Sequence, residues 1–168
     1  MLPACHCQRQ VELCRFVIQS QRLNLQIAEA ALLLKTGSDA TTAAVRLARI
    51  ATGRDRVLRW GYNGWHDWSV HQPAGVPSAS RAEEFDLNDL DGLAQRLSTG
   101  NPVACVVTMP FEYERSPAGH LEALRAVTHG HGALLVLDEM RSGFRLALGG
   151  AQEQLGVRAD LACFSKAL

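Results

Sequence analysis

The run Ala133-Leu134-Leu135-Val136-Leu137, which stops at Asp138-Glu139, constrains the fold more than any other stretch of this chain. Five apolar residues with no polar alternate need cover on both sides, the situation of a strand inside a parallel sheet. Val103 to Met109 repeats the pattern, and Ala30 to Leu34, Arg56 to Trp60 and Leu161 to Phe164 are shorter versions. Helical spacing lies between them. Ala40, Ala43, Ala44, Leu47, Ala48 and Ala51 recur at three and four residues and stop at Gly53. Leu87, Leu90, Leu93, Ala94 and Leu97 make a second helix with Asp86 as its expected N-cap. Leu121, Leu124, Arg125 and Val127 make a third, closed near Gly130, and Val11 to Ser20 reads as a further one. Gly61 to Ser80 is a long loop rich in aromatic and small residues. Apolar strands alternating with helices predict an α/β fold, three layers around a mainly parallel sheet.

Charge and cysteine usage narrow the partners. Seventeen Lys and Arg balance seventeen Asp and Glu, so neither nucleic acid nor an anionic membrane has an electrostatic claim on the chain. No apolar run reaches a membrane-spanning length, and Met1 to Cys7 lacks the pattern of a signal peptide. Five cysteines, an odd number without secretory context, predict free thiols and a cytoplasmic location. Cys5, His6, Cys7 and Cys14 offer one C-x-C and no second pair, which is not zinc spacing, so no metal is expected.

In parallel sheets ligands bind beyond the carboxyl ends of the strands. Thr36-Gly37-Ser38-Asp39 joins an apolar run to a helix, where glycine, amides and a hydroxyl suit an anion such as phosphate; an ordinary helix cap built on Thr36 or Ser38 explains it as well. Asp138 ends the most apolar strand. If buried there it needs a cationic partner, and if not it is an acid facing solvent. Lys166 follows the last strand and is either a reactive amine or a solvated surface lysine. No G-x-G-x-x-G follows the first apolar run, which weakens a nucleotide-binding reading.

Taken in order, Lys35-Thr36-Gly37-Ser38-Asp39-Ala40-Thr41, Val45-Arg46-Leu47-Ala48-Arg49, Thr52-Gly53-Arg54-Asp55, Tyr62-Asn63-Gly64-Trp65-His66-Asp67-Trp68, Leu137-Asp138-Glu139-Met140-Arg141-Ser142-Gly143-Phe144-Arg145 and Ala159-Asp160-Leu161 through Lys166 resemble the class III aminotransferases, most of all the branch containing glutamate-1-semialdehyde 2,1-aminomutase. The resemblance implies part of the large domain of fold type I, over residues 30–168, behind a poorly matching leader at 1–29. It implies the cofactor pyridoxal 5'-phosphate (PLP), with Gly37 and Ser38 on its phosphate, Tyr62 stacked on one face of the ring and Met140 against the other, where valine is usual. Asp138 would pair with the ring nitrogen, and Lys166 would form the Schiff base. The implied reaction is transamination or aminomutation of an amino acid or amino-ketone or aldehyde substrate. Small-molecule amino donors and acceptors are the implied partners, and the full-length family is expected to be homodimeric. The sequence departs from the family at Asn63, where histidine is frequent, at Met109-Pro110, where Glu-Pro is common, and at Arg141, where an uncharged residue is usual. A guanidinium at Arg141 could receive a substrate carboxylate, and an arginine directed to solvent explains it as well. Family members continue well past the lysine, so a fragment is expected here. A catalytically inactive remnant or an interaction module is the alternative reading.

Overall fold

The computed structural model describes residues 30–72, 74–111 and 117–166. The chain divides into two compact units, Met1–Lys35 and Thr36–Leu168. In the first, only Ala30 to Lys35 are described. The expected strand at Ala30–Leu34 is not formed: these residues have no regular structure, and Leu32 and Leu34 are exposed. An apolar run signals a preference for burial but does not supply the neighbouring strand that a ladder needs. The Val11–Ser20 helix and the Cys5, His6, Cys7, Cys14 group lie outside the described residues.

The second unit is built on five strands, all paired in parallel: β1 (Arg56–Trp60), β2 (Glu83–Glu84), β3 (Val103–Thr108), β4 (Leu134–Asp138) and β5 (Leu161–Cys163), in the order β2-β1-β3-β4-β5. Four helices connect them: α1 (Gly37–Thr52), α2 (Leu90–Ser98), α3 (His120–Gly130) and α4 (Gly150–Leu155). Successive side chains of a strand point to opposite faces, and both faces are covered. Leu58, Val106, Leu135 and Leu137 pack with Leu93, Leu97, Leu121 and Leu124 of α2 and α3. Val57, Cys105, Val107, Val136 and Cys163 pack on the other side with Ala44, Val45 and Ala48 of α1. This double cover is why the strands read as continuous apolar runs, and it gives three layers. Among the described residues, no helix is long and apolar enough to cross a membrane.

The Thr52-Gly53-Arg54-Asp55 motif noticed in the sequence proves to be a structural staple. Gly53 caps α1 in the left-handed conformation, with its N–H on Arg49 O. Arg54 then donates through Nη1 to the carbonyls of Val103, His131 and Gly132, at 2.9, 3.1 and 2.7 Å, tying the start of β3 to the end of α3. The N-cap of α2 is Asp89, not Asp86: Asp89 Oδ1 accepts from Gly92 N at 2.8 Å, while Asp86 Oδ1 accepts from Asn88 N at 3.0 Å in the preceding turn. Both aspartates suit the role, and Leu87, buried in the core, holds its segment out of the helix.

Candidate functional site

The N-terminus of α1, the loop after β1 and the segments following β3, β4 and β5 line one cleft of about 220 Å³. Gly37, Ser38, Tyr62, Asp138, Met140, Arg141 and Lys166, each singled out from the sequence, all border it, together with Gly64, Met109 and Ser165. A larger depression of about 440 Å³, lined by Thr42, Arg46, Arg49, Trp65 and His66 among others, includes none of those seven.

Local sequence explains how each residue is placed. Thr36 caps α1: its hydroxyl accepts from Asp39 N at 3.1 Å, and Asp39 Oδ2 accepts from Thr36 N at 3.1 Å. This reciprocal box uses the amides of Thr36 and Asp39 and leaves those of Gly37 and Ser38 outside it, beside the cleft. The cap reading of the motif therefore holds for Thr36, while Ser38 takes a different place. Its Oγ accepts from Trp65 N at 3.4 Å. Gly64 passes close by with φ of 112°, and a Cβ there would lie 2.7 Å from Ser38 Oγ. Only glycine combines that backbone with that approach.

Tyr62 is half exposed, and its ring stacks on His71 with centroids 5.9 Å apart and planes 13° apart. His71 in turn has Nδ1 3.6 Å from Glu84 Oε1 on the short strand β2. Lys166 is exposed and holds a left-handed backbone with φ of 57°, uncommon for a residue with a Cβ.

Asp138 is buried, 2% exposed. Its Oδ2 accepts from Asn63 Nδ2 at 3.0 Å and its Oδ1 from Met140 N at 3.1 Å. Burial raises its pKa, and the bonds from Asn63 and Met140 and the charge of Arg141 offset this only in part, while Glu139 adds to it. The folded state thus holds the Asp138 proton more tightly than the unfolded chain does. Between the ordinary aspartate value of about 4 and the raised one, the folded state binds more protons, and stability falls as pH rises through that window. Asp138→Asn removes this loss. In thermal unfolding of the chain without cofactor, the variant's advantage over wild type is expected to grow with pH across the window and then level off; a difference independent of pH would contradict the assignment.

Among the described residues, the thiols of Cys105 and Cys163 are buried and both pushed up to about 12 by that burial, so neither offers a thiolate nucleophile. Sequence reasoning gave Thr41 and Gly64 no role of their own, passed over His71, and noticed Asn63 only as a departure. No spacing rule links these residues to the strand ends they serve.

No protein-family model matches the chain. The 3-aminobutyryl-CoA aminotransferase of Cloacimonas acidaminovorans (strain Evry) is 41% identical over 161 residues, 90% of this chain and 39% of that protein. The FumI protein of Sphingopyxis sp. MTA144, solved in its PLP internal aldimine form, superposes with a TM-score of 0.73 at 32% identity, over 79% of this chain and 35% of its own. Over most of its length the chain is similar in sequence to aminotransferases, and its structural neighbours are PLP-dependent class III transaminases. A glutamate-1-semialdehyde aminomutase from Pseudomonas aeruginosa PAO1 is also similar, with a TM-score of 0.68 and 28% identity over 77% of this chain and 32% of its own. The fold is that of the PLP-dependent transferases of fold type I. The chain spans about two fifths of the length of the curated relative and about a third of each of the two structures.

Proposed function

We propose that this chain carries the cofactor-binding part of a PLP-dependent aminotransferase or aminomutase, acting on an amino acid or amino-ketone or aldehyde substrate with Lys166 as the lysine that bonds the cofactor's aldehyde. One observation carries the reading: the seven residues expected from the sequence border a single cleft around a buried carboxylate whose hydrogen bonds come from neutral amides. The aminotransferase relatives and PLP-containing neighbours support it.

Bound in this cleft, PLP supplies an electron sink for charge developing at the substrate Cα. The residues present fit that group. Gly37 and Ser38 would hold its phosphate with helix N-terminal amides and a hydroxyl. Tyr62 and Met140 would take the two faces of the ring, an aromatic plate and an adaptable thioether. Asp138 would face the protonated ring nitrogen, a cation that offsets the cost of burying its charge. The amine of Lys166, when free, would take the proton from the substrate Cα as general base. Arg141 would receive a substrate carboxylate in fork geometry. The complete protein would be a homodimer.

The chain contains two lysines, Lys35 and Lys166, so one is an internal reference for the other. After incubation with PLP, borohydride reduction and mass spectrometry, a pyridoxyl adduct is expected on Lys166 in clear excess over Lys35. Equal labelling of the two, or none, would remove the claim that this chain binds the cofactor. Half-reaction spectra with a panel of amino donors then distinguish substrates.

A further inference from the structure

Asn63 is a loop residue, yet only 1% of its surface is exposed. Its backbone carbonyl accepts from Thr41 Oγ1 at 2.7 Å, and the same hydroxyl lies 3.1 Å from Ser38 O, so the loop is fastened to the first turns of α1. Its side chain reaches the other way, with Nδ2 donating to Asp138 Oδ2 at 3.0 Å. Asn63 Oδ1 is buried and has no hydrogen-bond partner; among the described residues, one other buried side-chain polar atom shares that condition, Gln152 Nε2. Leaving a buried acceptor unpaired costs free energy. A side-chain amide, however, presents a donor or an acceptor from nearly the same volume when it makes a half-turn.

We propose that Asn63 is a positioning residue for Asp138: it donates through Nδ2 to the carboxylate and, after a half-turn of the amide, accepts through Oδ1 from the carboxylic acid. This inference rests on the reading of Asp138 as partner of the ring nitrogen, because Asp138 is then protonated more readily in the empty cleft and charged when a cation faces it. An amide serves both states without moving the loop.

Other ionisable groups lie around Asp138. Arg141 favours the carboxylate and Glu139 opposes it, both from the segment that follows Asp138 itself. Cys163, its register partner on β5, stays a neutral thiol. Tyr62 and Lys166 border the cleft from the loop after β1 and the end of β5. The side-chain hydrogen bond recorded on Asp138 comes from Asn63.

The test follows Asp138 in the chain without PLP, by carbon-13 resonance of aspartate labelled at Cγ, assigned through Asp138→Asn. In Asn63→Leu, similar in size and unable to donate or accept, the acid dissociation constant of Asp138 is expected to fall about tenfold, the margin by which the charge-assisted bond to the carboxylate exceeds the neutral bond to the acid. Asn63→His, which offers a ring N–H, is expected to recover most of that change. An unchanged titration in Asn63→Leu, or a histidine variant titrating like the leucine one, overturns the proposal. If Asn63→Leu does not fold, Thr41→Val releases the Asn63 carbonyl without touching Asp138. It should move the titration the same way by less, and no movement is again contrary. Labelling of Lys166 by PLP separates the two readings: a shifted titration in a chain that never labels removes the cofactor and keeps Asn63, whereas labelling with an unmoved titration does the reverse.

Discussion

Asp138→Ala is expected to cut PLP labelling of Lys166 about a hundredfold, bringing it close to that of Lys35. The carboxylate lies at the buried end of β4, where two amide hydrogen bonds and the charge of Arg141 offset its burial only in part, so its charge is costly until a further positive group faces it. A protonated ring nitrogen is that group, and losing one partner of a buried, hydrogen-bonded charge pair costs about 2–5 kcal/mol of binding. The effect runs through affinity and is read by titrating the adduct on Lys166 against PLP concentration. Lys35, on the other compact unit, supplies the background rate in the same tube. Asp138→Ala also leaves Asn63 Nδ2 and Met140 N without their acceptor. Circular dichroism of the variant must therefore match wild type for the comparison to count. Labelling of Lys166 that survives Asp138→Ala in a folded chain would show that the ring nitrogen lies elsewhere.

Much of this could be read from the chain, for a definite reason. Strands covered on both faces tolerate little but apolar residues, so β3 and β4 announce themselves, and polar residues at their ends are conspicuous. Asp138 and Lys166 were legible as strand-end residues, and the Gly37-Ser38 turn as a helix entry. What was not legible depends on tertiary partners. Strand β2 is two glutamates, poor strand formers, held at the sheet edge beside β1 where Arg56 bonds Glu83 and Arg59 bonds Glu84. Ala30–Leu34 has the opposite history, apolar enough for a strand and without one. The bond from Asn63 to Asp138 spans 75 residues, and no local pattern encodes it. The same is true of α4, whose Gly-Gly entry resembles a loop.

That helix rests on Glu139, and Glu139→Ala is expected to destabilise the chain by about 3–5 kcal/mol. Glu139 is fully buried. Its Oε2 accepts from Ser142 Oγ and from Ala151 N at 2.9 Å, and its Oε1 accepts from Gln152 N at 2.9 Å. The carboxylate thus takes the place of an N-cap for a helix of six residues, which could not hold itself together in isolation. The contact is close: Gly150 has φ of 75°, and a Cβ there would stand 2.6 Å from Glu139 Oε2. Alanine at position 139 leaves two buried N–H groups unpaired, each worth about 1–3 kcal/mol, in addition to a cavity. Glu139→Gln retains one acceptor and the volume and should cost less than half as much. Denaturant midpoints measure both, and a Glu139→Ala chain within about 1 kcal/mol of wild type would show that α4 is held by packing alone. The position also separates stability from cofactor binding. Neighbours along an extended backbone point to opposite sides, so β4 ends by sending Asp138 to the cleft and Glu139 to α4. Folded Glu139→Gln should therefore keep its labelling at Lys166, where Asp138→Ala loses it.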